Sequence, residues 1–424
     1  MSRLVPFFLF VAIEIVSSGS RATSQDGILW LGSTADGVAS SNARPFLWNA
    51  SFGLCRLFGN TLQSDLPWQK LADNQASFQQ VELETSSETS ANVSIGDLDG
   101  DGDLDLVLAK GRHWPLMNRV LMNNGLGTFS VASNLGELPD RTYSAALGDL
   151  DGDGDLDIVV SNDRPDKKMV YLNDGKARFQ VSSYWGDAKW NTRNACLADL
   201  NGDRFQDIVA ANRKSSSYIC VNDGQGRFPP ERYVEIPFES ATTIATADMN
   251  GDGRMDLIIP HRDGGQSLIH FNDGNLGFKA TAKFGPAICS ARAIAVGDLN
   301  GDGSADIVVG DERLGSLICW NNGKGEFEQM TTLGDTPLIP YSSAMGDLNR
   351  DGKLDIVVGY AAGAGSIFTN DGTGNKFEQK RFGDGKGAAY GIALGDVDGD
   401  QLIDIAVARS EARNAIYLNS KPRR

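Results

Sequence analysis

Histidine is nearly missing from this chain: His113, His261 and His270 are the only three, and they are scattered. There is no H-E-x-x-H, no nucleophile elbow and no Gly-rich phosphate loop, so enzyme constellations are scarce. Cysteine is also thin, at Cys55, Cys196, Cys220, Cys289 and Cys319. The odd count leaves at least one thiol unpaired, and no C-x-x-C offers a zinc or redox motif. Beyond the amino terminus no apolar run is long enough to span a bilayer. Basic residues are outnumbered, with 39 Lys and Arg against 55 Asp and Glu. That balance excludes a general nucleic-acid footprint.

The acid is not spread evenly. The stretch Gly148-Asp149-Leu150-Asp151-Gly152-Asp153-Gly154-Asp155-Leu156-Asp157-Ile158-Val159-Val160 puts carboxylates at every second position, with glycines between and an apolar run behind. Alternate carboxylates on a tight loop repel one another unless a cation sits among them. Calcium takes six to eight oxygen ligands, and Asp at positions 1, 3 and 5 with Gly at 6 is how the first half of an EF-hand loop supplies them. No helix pattern flanks the stretch, so it reads as a calcium loop joining two β-strands.

The stretch recurs seven times, its first Asp at positions 97, 149, 199, 248, 298, 347 and 396. A period near 50 residues means a repeat architecture. The candidate ligands at positions 1, 3, 5 and 9 of the first two copies are Asp97, Asp99, Asp101, Asp105, Asp149, Asp151, Asp153 and Asp157. In the third and fourth they are Asp199, Asn201, Asp203, Asp207, Asp248, Asn250, Asp252 and Asp256. The remaining copies supply Asp298, Asn300, Asp302, Asp306, Asp347, Asn349, Asp351, Asp355, Asp396, Asp398, Asp400 and Asp404. These 24 Asp account for the acidity, since without them the net charge of −16 becomes +8. Up to seven Ca²⁺, one per repeat, are expected. Asn replaces Asp at position 3 of loops three to six, and Arg204 and Gln401 replace the position-6 Gly. Arg350 stands at position 4 of loop six. Loops one and two are therefore expected to bind most tightly, and loops three and six least.

Within one repeat, a small-residue strand leads into the acidic loop and an apolar strand leaves it. A polar loop, a third strand, an Asn-Asp-Gly turn and a fourth strand follow. Such turns between apolar runs signal hairpins. Strands apolar on both faces need cover on both sides, which radial stacking of four-stranded sheets provides. The hairpin turn ends in Phe129, Phe179, Phe228, Phe278, Phe327 and Phe377, but the seventh repeat stops after Asn419-Ser420. The missing Phe and fourth strand are expected near Phe78. The expected fold is all-β, a seven-bladed β-propeller of four-stranded antiparallel blades closed by an amino-terminal strand.

The repeated D-x-[DN]-G-D-G-x-x-D loops over residues 75–420 resemble the FG-GAP/VCBS repeat family, found in integrin α-subunits, fungal seven-bladed lectins and bacterial exported proteins. The resemblance implies a calcium-stabilised propeller serving as an adhesion or binding module, a lectin or a carbohydrate-active enzyme. Fold alone does not choose among them.

Residues 1–22 read as a secretory signal: Arg3, an apolar stretch to Val16, then small residues. Residues 23–74 match no repeat and are taken as an extension or cap. The implied location is secreted or cell-surface. Cys220 and Cys319 occupy the same point of repeats three and five and read as small buried hydrophobes, with a Cys196–Cys220 bridge as a minor alternative. Asn49-Ala50-Ser51 and Asn92-Val93-Ser94 match the glycosylation pattern, the second inside an expected strand.

Loops joining the second and third strands, and those joining blades, must emerge opposite the acidic loops. The former carry Arg112, Arg164, Arg213, Arg262, Arg313 and Arg409, with Trp114 close by; the latter carry Tyr143, Trp190, Arg193, Arg292, Tyr341 and Tyr390. This face is the expected site for a glycan or protein ligand. A polysaccharide lyase-like enzyme on the same face is the alternative, and no catalytic residue is assigned.

Overall fold

The computed structural model describes residues 78–237, 240–334 and 338–420. The expected signal peptide, the extension, Cys55 and Asn49 lie outside the described residues. Seven four-stranded antiparallel sheets make up the described chain. Blade one holds Ser90–Gly96, Asp105–Lys110, Leu116–Met122 and Val131–Asp140. Blades two to six repeat this order along the chain. Blade seven takes Ala388–Gly395, Asp404–Ser410 and Ala415–Asn419 from the carboxyl end, and its outer strand is Phe78–Glu82. That strand runs antiparallel to Ala415–Asn419, with Phe78 opposite Asn419 and Glu82 opposite Ala415.

The second strand of each blade is the core. Asp105–Lys110, Asp157–Asn162, Asp207–Asn212, Asp306–Asp311 and Asp355–Tyr360 are buried at every residue. Their Ile, Val and Leu side chains alternate between two interfaces: Val159 packs toward blade three while Ile158 and Val160 pack toward blade one. Seven apolar clusters result, one at each junction between neighbouring blades. Each fully buried Leu, Ile or Val in them contributes about 1.5–3 kcal/mol.

One of these clusters joins the last blade to the first, setting Val93, Leu106 and Leu108 against Val397, Ala406 and Ile416. Polar contacts reinforce that junction. Lys110, fully buried, pairs with Glu84 and lies 2.7 Å from Glu88. Asn414 of blade seven donates to Ser90 Oγ of blade one at 2.8 Å, and Ser410 Oγ donates to Ser90 O at 3.2 Å.

The innermost strands crowd the axis, which is why they are built from Ala, Gly and Ser. A Cβ at Gly391 would lie 2.7 Å from the Asn92 backbone of the next blade. Cys196, Cys220, Cys289 and Cys319 are free thiols. The bridge weighed between Cys196 and Cys220 is absent, and three of the four are buried. Asn92 lies in an inner strand. Among the described residues no helix is long and apolar enough to cross a membrane.

Candidate functional site

At one end of the propeller each acidic loop joins the first strand of its blade to the second. Asp97 shows the wiring: its two carboxylate oxygens accept from the backbone N–H of Gly100 and Gly102, at 2.8 and 3.0 Å. Asp99 and Asp101 likewise accept from the N–H two residues on. Positions 4 and 6 need positive φ for this wrap. Arg350, Arg204 and Gln401, which stand there in place of Gly, adopt φ of 62°, 75° and 68°. A non-Gly residue in this region costs about 1 kcal/mol.

The position-9 Asp works as an anchor. Asp105 accepts from Leu98 N at 3.0 Å and Asn123 N at 2.8 Å. Asn123 Nδ2 then donates to Leu104 O of its own blade and Val397 O of blade seven, at 3.0 and 2.7 Å. The same clasp recurs through Asn173, Asn222, Asn272, Asn321, Asn370 and Asn419. Every acidic loop is thereby tied to the following blade. Burial pushes the carboxyls of Asp105, Asp157, Asp207, Asp306 and Asp355 up to about 6, and that of Asp404 to about 7.

Loops seven, one and two differ from the rest. Three carboxylates converge in each, as Asp396, Asp398 and Asp404; Asp97, Asp99 and Asp101; and Asp149, Asp151 and Asp157, with oxygens within 4.8 Å of one another. Burial, then the neighbouring charge, raises the pKa of Asp99 and Asp151 at position 3. An all-oxygen donor set under mutual repulsion fits Ca²⁺. In loops three, five and six the position-3 amide answers the charge internally: Asn201, Asn300 and Asn349 donate to the position-5 Asp at 2.9, 2.9 and 3.2 Å. In loop four Arg254 pairs with Asp252.

The opposite end is organised by a device invisible in the repeat pattern. In six blades the inner strand begins with a one-residue register shift, and the residue skipped is Ala91, Tyr143, Arg193, Arg292, Tyr341 or Tyr390. A β-bulge re-aims a side chain. Here Tyr143, Arg193, Arg292, Tyr341 and Tyr390 touch one another or their neighbours' loops in a circuit of contacts around this end. Arg112 of blade one lies 3.7 Å over the Tyr390 ring and 5.6 Å from that of Tyr143. Tyr143 Oη meets His113 Nε2 at 2.9 Å, and Arg193 sits 4.2 Å over its ring. Asp163 takes Arg193 at 2.9 Å and His113 at 3.4 Å. Although burial opposes it, these partners hold the Asp163 carboxyl below its ordinary value.

Arg213 of blade three pairs with Asp263 of blade four at 2.7 Å, and Arg262 of blade four makes a forked pair with Glu312 of blade five at 2.9 Å. Glu312 also takes Arg292, which lies 4.4 Å over Tyr341. Tyr341 and Tyr390 are 4.8 Å apart and lead back to Arg112. The circuit holds five guanidinium groups and three carboxylates, drawn from all seven blades.

Not every expected ligand residue joins it. Arg409 is buried and bonds Asp384, in the connection between blades six and seven, at 2.7 Å, a structural pair. Trp190 stacks 4.2 Å from Tyr218, a third-strand residue, and none of its ring contacts is with the circuit. Lys168 fixes it there by donating to Trp190 O at 3.4 Å and Asp187 O at 2.9 Å, and burial lowers that amine to about 8. Arg164 and Arg313 are exposed at the rim, and Trp114 is 41% exposed beside His113. Asp163 and Glu312 directly follow the core strands Asp157–Asn162 and Asp306–Asp311, and Asp263 lies in the loop after Asp256–Ile259, where each can pair with the loop arginines.

Fold and loops together define a propeller assembled from an acidic-loop repeat. Six overlapping matches to the FG-GAP-like repeat model cover residues 97–160, 149–210, 199–259, 248–309, 298–358 and 347–407, so the chain belongs to that family. No curated protein matches significantly. Among solved structures, BBS1N in complex with ARL6DN, in a crystal soaked with lead, is similar at 11% identity and a TM-score of 0.53, covering 82% of this chain and 97% of that one. The mercury-soaked crystal gives 11%, 0.56, 82% and 99%. At that identity the likeness concerns the fold.

Proposed function

We propose that this propeller is a secreted or cell-surface binding module. Calcium in the acidic loops serves the fold, and an anionic protein or glycan ligand is engaged at the opposite end. The observation that carries the reading is the charge balance of the circuit, five guanidinium groups against three carboxylates. Arg offers paired, planar hydrogen bonds to acidic groups. Sites with a few convergent polar groups and aromatic walls are common binding locations. Calcium loops of this oxygen-rich kind fill where calcium is abundant, in keeping with the amino-terminal signal pattern. BBS1N, similar in fold, was solved in complex with another protein.

The test is a combined array of glycans and acidic proteins. Replacing Arg164 and Arg213 together by Ala should weaken the ligand found, with melting lowered only by the loss of the Arg213–Asp263 pair. A ligand indifferent to that change but lost on Asp149→Ala in a folded protein would reverse the assignment of the two ends. One contact favours a second reading, a carbohydrate-active enzyme of lyase type: Tyr143 Oη is 2.9 Å from His113 Nε2, with Arg193 over its ring. Unsaturated product from a panel of uronate polymers would establish it, and none from any polymer would dismiss it.

A further inference from the structure

We infer that Arg112 is the seat for a single carboxylate presented by an acidic segment of a partner protein. This deepens, and rests on, the binding reading above. Four of the five circuit guanidinium groups already meet a carboxylate: Arg193 meets Asp163, Arg213 meets Asp263, and Arg262 and Arg292 share Glu312. Arg112 meets none among the described residues. Its cation faces Tyr390 and Tyr143 instead, and its Nε is buried without a hydrogen-bond partner. Buried polar groups are almost always bonded, so an orphan donor calls for an explanation.

The backbone holds this arrangement against its own preference. Gly111 and Arg112 take φ of 105° and 52°, two left-handed residues in succession. Gly111 has no substitute, because a Cβ there would stand 2.2 Å from Trp114 O. Arg112, by contrast, is an L side chain in a conformation such residues rarely adopt. It is held by its N–H to Thr142 O at 3.0 Å and by Trp114 N to Gly111 O at 2.8 Å. Local strain of this kind clusters at functional sites.

The chemistry of the occupant follows from what surrounds the group. A guanidinium fork matches a carboxylate in two parallel hydrogen bonds. The tyrosine rings of the circuit already carry guanidinium groups: Arg112 on Tyr390, Arg193 on Tyr143 and Arg292 on Tyr341. Each of these three rings thus gives a face to a cation, which leaves the exposed Trp114 as the nearby ring for a sugar. An Asp or Glu side chain, slender and needing no platform, fits better than a uronic acid.

The probes are a short glutamate-rich peptide, its glutamine counterpart and a galacturonate hexamer, titrated calorimetrically against the calcium-loaded full chain at about 0.15 M salt. The glutamate peptide should bind, and the glutamine peptide at least about tenfold more weakly. Arg112→Gln should bring the glutamate peptide down to that level, while Lys324→Gln, at an exposed hairpin turn elsewhere, leaves it unchanged. Arg112→Lys, which keeps the charge over Tyr390 and guards against misfolding of the first variant, should also lose affinity. Glutamate-peptide binding that survives Arg112→Gln but falls with Arg193→Gln overturns the seat and keeps the face. Survival in both overturns both. No measurable binding of the glutamate peptide, or preference for the hexamer, overturns the protein-borne carboxylate.

Discussion

Blades seven, one and two share backbone and motif with blades three to six, yet their acidic loops differ at one residue. Asp398, Asp99 and Asp151 stand at position 3 in the first group, and Asn201, Asn250, Asn300 and Asn349 in the second. In the first, three carboxylates converge with no internal counter-charge. Three loops of the second relieve the position-5 Asp with the Asn amide, and the remaining one uses Arg254. Because blade seven packs on blade one, the three crowded loops occupy one continuous arc. One arc is arranged as though for a cation, and the other is already satisfied without one.

The largest break in this comparison comes from cutting the arc. Deleting residues 78–84 removes the outer strand of blade seven, the Phe78 contact with Phe382 and the Glu84 partner of buried Lys110. Stability should fall by about 4 kcal/mol or more, since Phe78, Val81 and Leu83 give up their packing at about 1.5–3 kcal/mol each, while Lys110 keeps its second partner, Glu88. The exposed edge should also promote association. Urea unfolding and sedimentation would check both, and a monomeric variant of unchanged stability would mean the strand does little.

A smaller effect per group should appear with pH. Burial holds the folded pKa of Asp105, Asp157, Asp207, Asp306 and Asp355 at about 6 and that of Asp404 at about 7, above the ordinary 3.8, and raises that of Asp256 as well. The folded state therefore holds protons that the unfolded chain releases, so in chelator stability should fall as pH rises from about 4 to 7. A loss of about 1.4 kcal/mol per carboxyl near 6 between pH 5 and 8, several kcal/mol in all, is expected in urea midpoints. Calcium should flatten the profile by replacing the protons. A chelated protein that grows more stable across this range would show that these carboxylates prefer their charge.

The finest test changes one atom type. Asp151→Asn turns loop two into a loop of the other arc. In chelator the variant should be more stable than the parent by about 0.5–1 kcal/mol, because a repelling charge is gone. With calcium the order should reverse as a ligand is lost, by about 1 kcal/mol or more if that site sits near ten times its Kd. Thermal melts in both conditions would read the crossing, and a variant of the same sign in both would remove the distinction between arcs.

The repeat made most of this legible beforehand. The spacing of the acidic loops, the recurrent Phe of the hairpin turn and its absence from the last repeat point to seven blades. The positive φ at Arg204, Arg350 and Gln401 could be expected from the glycines they replace. The far end was harder to read, for a physical reason. Alternation along a strand says which residues share a face only while the register is regular, and the bulges at Tyr143, Arg193, Arg292, Tyr341 and Tyr390 break it. No residue type announces such a bulge. Arg409 and Trp190, expected to join the others, are drawn off by Asp384 and Tyr218, contacts between segments that spacing alone does not bring together.

The number of calcium ions the chain binds tightly separates the two arcs, and equilibrium dialysis with metal analysis measures it. Three ions per chain should bind first, one each in loops seven, one and two, with any further binding much weaker. Asp151→Asn should lower the first class from three to two. Seven equivalent ions, or none, would contradict the division between the arcs.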